Sequence, residues 1–140
     1  MLWLLGIAGS LATILIAHWL SLGKDYAARC SAASTKFRAA VLSALEGLFP
    51  HPVKWPDNID ATLRSVFPTI AAAVEEFRPF VPWYSRWLFN RAWFIYRLGP
   101  DGREIDQQCY YHYMEFGSNP NPKGTFWKNV EHLLSFANET

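Results

Sequence analysis

The sequence opens with a long stretch without formal charge, residues 2–23, which reads LWLLGIAGSLATILIAHWLSLG. It contains no Asp, Glu, Lys or Arg. A helix of this length, at about 1.5 Å per residue, is long enough to cross the ~30 Å apolar core of a bilayer. We therefore predict that residues 1–23 form a transmembrane anchor and that residues 24–140 form a separate domain.

Two other interpretations of this stretch were weighed. A cleaved signal peptide needs a basic region before its apolar run, and no basic residue precedes this one. Ser21-Leu22-Gly23 still loosely resembles a small-residue cleavage site, so cleavage of the anchor stays open. A buried helix of a globular protein is disfavoured, because it seldom runs this long without a charged residue.

Tryptophans and small residues give the predicted span two further properties. Trp3 and Trp19 lie sixteen positions apart, or about 24 Å along a helix, which suits the two aromatic belts of a membrane. Small residues recur every four positions, a spacing that lets a second helix approach closely. The span residues to which we assign these roles are Leu2, Trp3, Gly9, Thr13, Ala17 and Trp19. The expected partners are the lipid bilayer and either a second copy of the chain or another membrane protein.

Basic residues follow the span and do not precede it. Lys24, Arg29, Lys36 and Arg38 all come soon after its end. Since cytoplasmic flanks of membrane helices carry an excess of Lys and Arg, we expect a single-pass protein with its N-terminus outside and its C-terminal domain in the cytoplasm.

The domain after the anchor shows a helical pattern in most segments. Apolar residues recur at steps of three or four through residues 24–49 and 58–78, which predicts two helices, the first continuing from the anchor and the second kinked at Pro68 or split in two there. Asp57 or Asn58 is the expected cap of the second helix. A short helix is expected within residues 104–116, and Thr125 is expected to cap the last one. The predicted fold is all-α, with an N-terminal transmembrane helix continuing into a four- to five-helix cytoplasmic bundle.

Residues 83–96 carry an unusual density of aromatic side chains. Half of these fourteen residues are Trp, Tyr or Phe, and the charged residues among them are all arginine. Such a helix either lies at the centre of the core or presents a second apolar face to something else. The candidates for an interaction surface are Trp83, Arg86, Trp87, Arg91 and Phe94. Lipid contact, protein contact and plain core packing all remain open for this segment.

Several motifs occur together with the N-terminal span: Phe77-Arg78-Pro79-Phe80, then Phe89-Asn90 with Ala92-Trp93 and Tyr96, then residues 133–137, which read LLSFA. On these residues the chain resembles a group of short bacterial membrane-tethered proteins with no established function. Position 90 is often Asp in that group and is Asn in this chain, and residues 109–123 are longer than usual. The resemblance implies a bacterial inner-membrane location and a helical architecture, and it transfers no catalytic residue.

Few residues suggest chemistry. Cys109, His112 and Glu115 could share one face of a helix and are a weak metal site, because a second pair of ligands is missing. Phosphate-binding, dinucleotide and zinc-protease motifs are absent from the sequence, so we expect no cofactor. The net charge of +1 is too small to favour nucleic acid. The two cysteines are expected to be free thiols.

These observations favour a protein that acts by binding. We expect a membrane-anchored helical interaction protein, an accessory subunit or scaffold of a membrane assembly, that is not an enzyme. Two alternatives stay open. One is an enzyme of unfamiliar type that uses Cys109, His112 and Glu115. The other is a small membrane-active effector whose action depends on the apolar N-terminal stretch alone.

Overall fold

The computed structural model describes residues 2–103, 110–115 and 119–138, with side chains from residue 13 onward. Within these ranges the chain forms four α-helices and two short 3-10 turns, and no strand is assigned. The helices are α1 (Leu2–Ala44), α2 (Ile59–Phe77), α3 (Arg86–Leu98) and α4 (Pro122–Ser135). The all-α prediction is therefore confirmed.

The chain divides into two compact units, Met1–Ala32 and Ala33–Thr140. In the first unit every described side chain from Thr13 to Arg29 is exposed, and Cys30 is buried. Half of the predicted span, residues 2–12, has side chains outside the described set. Among the residues that the structure describes, no helix combines the length and the apolar character needed to cross a membrane.

The end of α1 and the start of α2 follow from local chemistry. α1 ends at Ala44, five residues before the predicted end. The stop coincides with Gly47, whose φ of 84° lies in the left-handed region that glycine adopts without a steric penalty. α2 begins after Asn58, whose side-chain oxygen accepts a hydrogen bond from the Ala61 N–H at 3.0 Å, as one of the two predicted caps. The helix continues through Pro68 as a single element, so the alternative prediction of two helices that meet at this proline is wrong.

The later elements differ from the predictions at their boundaries. α4 begins at Pro122, and its cap is Asn121, which accepts from the Gly124 N–H at 3.0 Å. Thr125 is therefore not the cap, and its hydroxyl instead donates to the Asn121 carbonyl at 2.9 Å. In the region predicted as a short helix, the described part holds a 3-10 turn, Tyr111–Tyr113, and residues 104–109 and 116 lie outside the described set.

The core of the second unit is built from aromatic rings contributed by several helices. Phe37 of α1 stacks on Phe77 of α2 with ring centroids 4.6 Å apart. Phe77 packs edge-on against Phe89 of α3 at 5.6 Å, and Phe89 packs against Phe136, just after α4, at 5.5 Å. All four rings are buried. Because burial of an aromatic side chain contributes a few kcal/mol, this cluster joins the helices to one another.

A second aromatic cluster lies at the C-terminal half of α3. Tyr96, Tyr110 and Tyr113 are fully buried, and the Tyr113 ring meets Phe126 of α4 edge-on at 5.3 Å. The Tyr113 hydroxyl donates to the Tyr96 carbonyl at 2.8 Å. That carbonyl would normally accept the N–H of the residue four positions later, but Pro100 has none. Tyr113 therefore supplies the donor that the end of α3 lacks.

Candidate functional site

A groove between α2 and α3 is the candidate site. Its volume is about 690 Å³, which is within the range of small-molecule pockets. Residues of both helices line it: Phe67, Ala71, Glu75, Arg78, Trp87, Asn90, Arg91, Trp93, Phe94 and Arg97. We call it the α2–α3 groove. Its walls combine aromatic rings with three guanidinium groups and the Glu75 carboxylate.

The position of α3 follows from its two unlike faces. Phe89, Trp93 and Tyr96 are at most 7% exposed and belong to the core, although Trp93 also lines the groove. Trp87, Arg91 and Phe94 follow at steps of four and three along the same helix, and they line the groove. Apolar residues on both faces explain why this segment has so many aromatic side chains, since only one of the faces is covered within the unit.

Arg78 joins the two walls of the groove. Its Nε donates to the Asn90 side-chain oxygen at 3.0 Å, and its Nη1 donates to the Glu75 carboxylate one turn earlier on α2. Because Oδ1 of Asn90 is engaged by Arg78, the Nδ2 hydrogens of the same amide remain as donors of the groove wall. The pair of Arg78 and Asn90 fixes where α2 and α3 approach each other at this end.

Arg91 and Arg97 lie against aromatic rings of the same helix. The Arg91 guanidinium carbon is 5.5 Å from the Phe94 centroid, and that of Arg97 is 5.0 Å from the Trp93 centroid. Nη2 of Arg91 also donates to the Pro100 carbonyl at 3.4 Å. These contacts hold both guanidinium groups beside aromatic rings of α3. Among the described residues that line the groove, Arg78, Arg91 and Arg97 carry positive charge and Glu75 carries a carboxylate.

Outside the groove, two more aromatic residues are unusually exposed. Trp83 is 82% and Tyr84 is 69% accessible, and their rings pack edge-on at 6.0 Å in the turn before α3. Trp87, at the edge of the groove, is 71% accessible. Arg86 donates to the carbonyls of Pro79 and Val81 at 3.5 and 3.3 Å, so it anchors the preceding turn. We call Trp83, Tyr84 and Trp87 the exposed aromatic surface.

The five predicted interaction candidates therefore separate into two groups. Trp87, Arg91 and Phe94 come together in the groove, whereas Trp83 and Arg86 are not among its lining residues. The sequence analysis missed the contribution of Phe67 on α2 and of Arg78, which directly follows α2. The spacing of Glu75 and Arg78, one turn apart, predicts an ion pair on a helix surface, but it does not indicate which helix lies opposite.

The predicted span residues are only partly described. Thr13, Ala17 and Trp19 are exposed, with Trp19 75% accessible. The side chains of Leu2, Trp3 and Gly9 lie outside the described set. The membrane role of these residues stays a prediction.

The weak metal candidate receives no support from the residues that are described. Cys109 lies outside them, and Glu115 is exposed. The His112 ring lies 3.8 Å from the ring of Tyr113, and it lies so close to Gly99 that a β-carbon there would be 3.3 Å from its Cγ. Burial lowers the pKa of His112 to about 4. Within the described ranges, no three His, Cys, Asp or Glu side chains are grouped to hold a metal ion.

The surroundings of the buried tyrosines indicate a structural role. Burial raises the pKa of Tyr96, Tyr110 and Tyr113 well above the usual value of a phenol. Their hydroxyls therefore stay neutral over the physiological range, and an enclosed neutral phenol is a poor proton acceptor. The cluster stabilises the end of α3 and leaves the groove as the better candidate for binding.

Comparison of the chain with protein-family models, curated proteins and solved structures finds no match.

Proposed function

We propose that this chain acts by binding, as a membrane-anchored helical interaction protein that serves as an accessory subunit or scaffold of a membrane assembly. The observation that carries the proposal is the exposed aromatic surface. Trp83, Tyr84 and Trp87 are 82, 69 and 71% accessible beside a helix face that is almost completely buried. Tryptophan and tyrosine are the residues that most often supply binding energy at protein interfaces.

The energetics favour a covering partner for this surface. Large aromatic side chains gain free energy when they leave water, and clustered exposed aromatics mark interaction sites more often than scattered ones do. The nearby Arg86 adds a cation of the type enriched at interfaces. A protein partner in the same assembly is the occupant that the proposal names for Trp83 and Tyr84.

The membrane part of the proposal is supported by the apolar side chains of α1. Ile14, Leu15, Ile16, Leu20 and Leu22 are each more than half exposed. Residues 14–16 are consecutive, so on a helix they point in different directions, and a single packing face would not cover them. A lipid environment covers a helix on all sides. The resemblance to short bacterial membrane-tethered proteins, and an orientation with the larger domain in the cytoplasm, belong to the same proposal.

Photo-crosslinking in native membranes tests the partner. A photoreactive phenylalanine analogue is placed at Trp83, and the matched control carries it at Lys128, an exposed position on α4. We expect a discrete adduct with one membrane protein at position 83 and none at 128. The proposal fails if position 83 yields no adduct while the full chain stays monomeric in membranes.

Alkaline extraction of membranes tests the anchor. The unmodified chain is expected to stay in the membrane pellet. A double variant with Ile14→Asp and Leu15→Asp should move to the supernatant, because a charged residue near the centre of a span costs about 2.5–3.5 kcal/mol. Ala28→Asp, at an exposed position after the predicted span, is the matched control and should stay in the pellet. Release of the unmodified chain contradicts the anchor.

A further inference from the structure

We propose that α3 packs antiparallel against α3 of a second copy of the chain, about a two-fold axis. The contact surface is the part of α3 that we call the outer groove face, whose residues all line the α2–α3 groove: Trp87, Asn90, Arg91 and Phe94. The first three are exposed and Phe94 is partly buried. This self-association goes beyond the proposed function, which assigns a protein partner to Trp83 and Tyr84.

The residue types of the outer groove face are arranged symmetrically along the helix. Trp87 and Phe94 are seven positions apart, or roughly two helical turns, and Asn90 and Arg91 are the two central positions. An isologous contact brings the same surface of two copies together. With the two-fold axis between residues 90 and 91, position 87 of one copy faces position 94 of the other, and position 90 faces position 91. Aromatic rings then pack on both sides of a polar centre.

The polar centre is complementary to itself after this rotation. Arg78 donates both to the Asn90 side-chain oxygen and to Oε2 of Glu75, so Glu75 lies near Asn90. The Glu75 side chain is 63% exposed, and its Oε1 is a further acceptor. The hydrogen bond described for Arg91 uses only Nη2, to the Pro100 carbonyl. Arg91 of one copy, opposite Asn90 of the other, therefore faces the Glu75 carboxylate of that other copy, and the same contact occurs twice.

A second copy accounts for more of this arrangement than other occupants do. An apolar ligand or a lipid chain covers the rings of Trp87 and Phe94 but offers no carboxylate to Arg91 and no cation to Glu75. An unrelated protein needs both charges at matching positions, whereas two-fold symmetry supplies both from the same chain. Burial of the rings contributes free energy of association, and the complementary charges fix the register of the two helices.

Charge reversal in the full chain tests the pairing. Glu75→Arg and Arg91→Glu are made separately, and association is measured by sedimentation equilibrium in density-matched neutral detergent. We expect the unmodified chain to dimerise and each single variant to associate about tenfold or more weakly, because each reversal brings like charges together across the axis. An equimolar mixture of the two variants should form dimers again, since the reversed charge of each variant then faces the charge that the other retains.

The control variant is Lys128→Glu, which reverses a charge at an exposed position of α4 outside the groove. It should dimerise as the unmodified chain does, whereas Trp87→Ala should weaken the dimer. A monomeric unmodified chain overturns the proposal. Unchanged association of both single reversals also overturns it and assigns the dimer to another surface, such as the predicted span. Loss of association without recovery in the mixture overturns it as well. A crosslink from position 83 to a different membrane protein supports the proposed function whichever of these results is found.

Discussion

The two faces of α3 have nearly the same residue types and opposite environments. The inner face, with Phe89, Trp93 and Tyr96, is at most 7% exposed, whereas Trp87 on the outer face is 71% exposed. Aromatic content therefore does not separate core from binding surface in this segment. Arginine does not separate them either, because Arg97 lies 5.0 Å from the buried Trp93 ring and Arg91 lies 5.5 Å from the Phe94 ring. The difference lies in which residues pack against the other helices.

The largest expected effect tests this comparison directly. Phe89→Ala should destabilise the protein by about 3–5 kcal/mol, because it removes a fully buried ring that contacts Phe37, Phe77 and Phe136. Trp87→Ala, on the outer face, should change stability by only about 0.5 kcal/mol. Urea unfolding of both variants measures the difference. Equal losses of stability would mean that the two faces do not differ in their contribution to folding.

The next effect concerns the hydrogen bond that Tyr113 donates to the C-terminal end of α3. Tyr113→Phe removes the hydroxyl that donates to the Tyr96 carbonyl at 2.8 Å and accepts from the Asn129 amide at 3.0 Å. Leaving buried polar groups without their partner costs about 1–3 kcal/mol. Tyr111→Phe, at a 63% exposed neighbour, is the matched control and should be almost neutral. A thermal unfolding series compares the two, and similar melting temperatures would contradict the role of Tyr113.

The stability of the protein is expected to depend on pH through His112, in the 3-10 turn Tyr111–Tyr113. Burial lowers the pKa of His112 from 6.5 to about 4. Between these values the unfolded chain binds a proton at this site and the folded chain does not, so stability is complete above about pH 6.5 and falls as the pH drops toward 4. The loss is of order 1–2 kcal/mol once partial solvent exposure of the ring is allowed for.

Urea midpoints between pH 7.5 and 5 measure this dependence, in a window above the range where most carboxylates titrate. His112→Gln should flatten the curve, whereas His132→Gln, at an exposed position of α4, should leave it unchanged. A curve that keeps its slope in His112→Gln would assign the dependence to other groups.

The smallest expected effect belongs to the outer face. Asn90→Ala removes the acceptor of the Arg78 Nε, yet both residues are at least partly solvated. Because exposed polar contacts contribute about 0–1 kcal/mol, the change in stability should lie below about 1 kcal/mol. Chemical unfolding in low and high salt measures it. A loss as large as that of Phe89→Ala would show that this face is part of the stability core.

The sequence predicts much of the inner architecture. The apolar stripe predicted for α2 runs through Ile59, Leu63, Val66, Ile70, Ala73 and Phe77. All of these are buried except Val66, which is partly buried, because a helix that packs on one side repeats its apolar residues every three to four positions. The cap at Asn121 could have been predicted in place of Thr125, because Asn followed by Pro at the first helical position is a recognised start signal of a helix.

The groove could not be predicted in the same way. Its walls come from two helices, and the contact of Arg78 with Asn90 depends on how α2 and α3 pack, which no local pattern contains. Because α3 has apolar residues on both faces, its helical periodicity did not indicate which face would be buried. The pattern thus identified the residues of the outer face without indicating which of them would lie together.

The ring contacts of the core also constrain how the second unit can fold while it is being synthesised. Phe37 and Phe136 lie almost a hundred positions apart in the chain, yet both pack against Phe89. Closing contacts over such separations has an entropic cost that local helix formation does not repay. A growing chain therefore leaves the ring cluster of Phe37, Phe77 and Phe89 without its Phe136 contact until Phe136 has left the ribosome. During that interval the same aromatic residues that later stabilise the fold are the ones on which a chaperone would act.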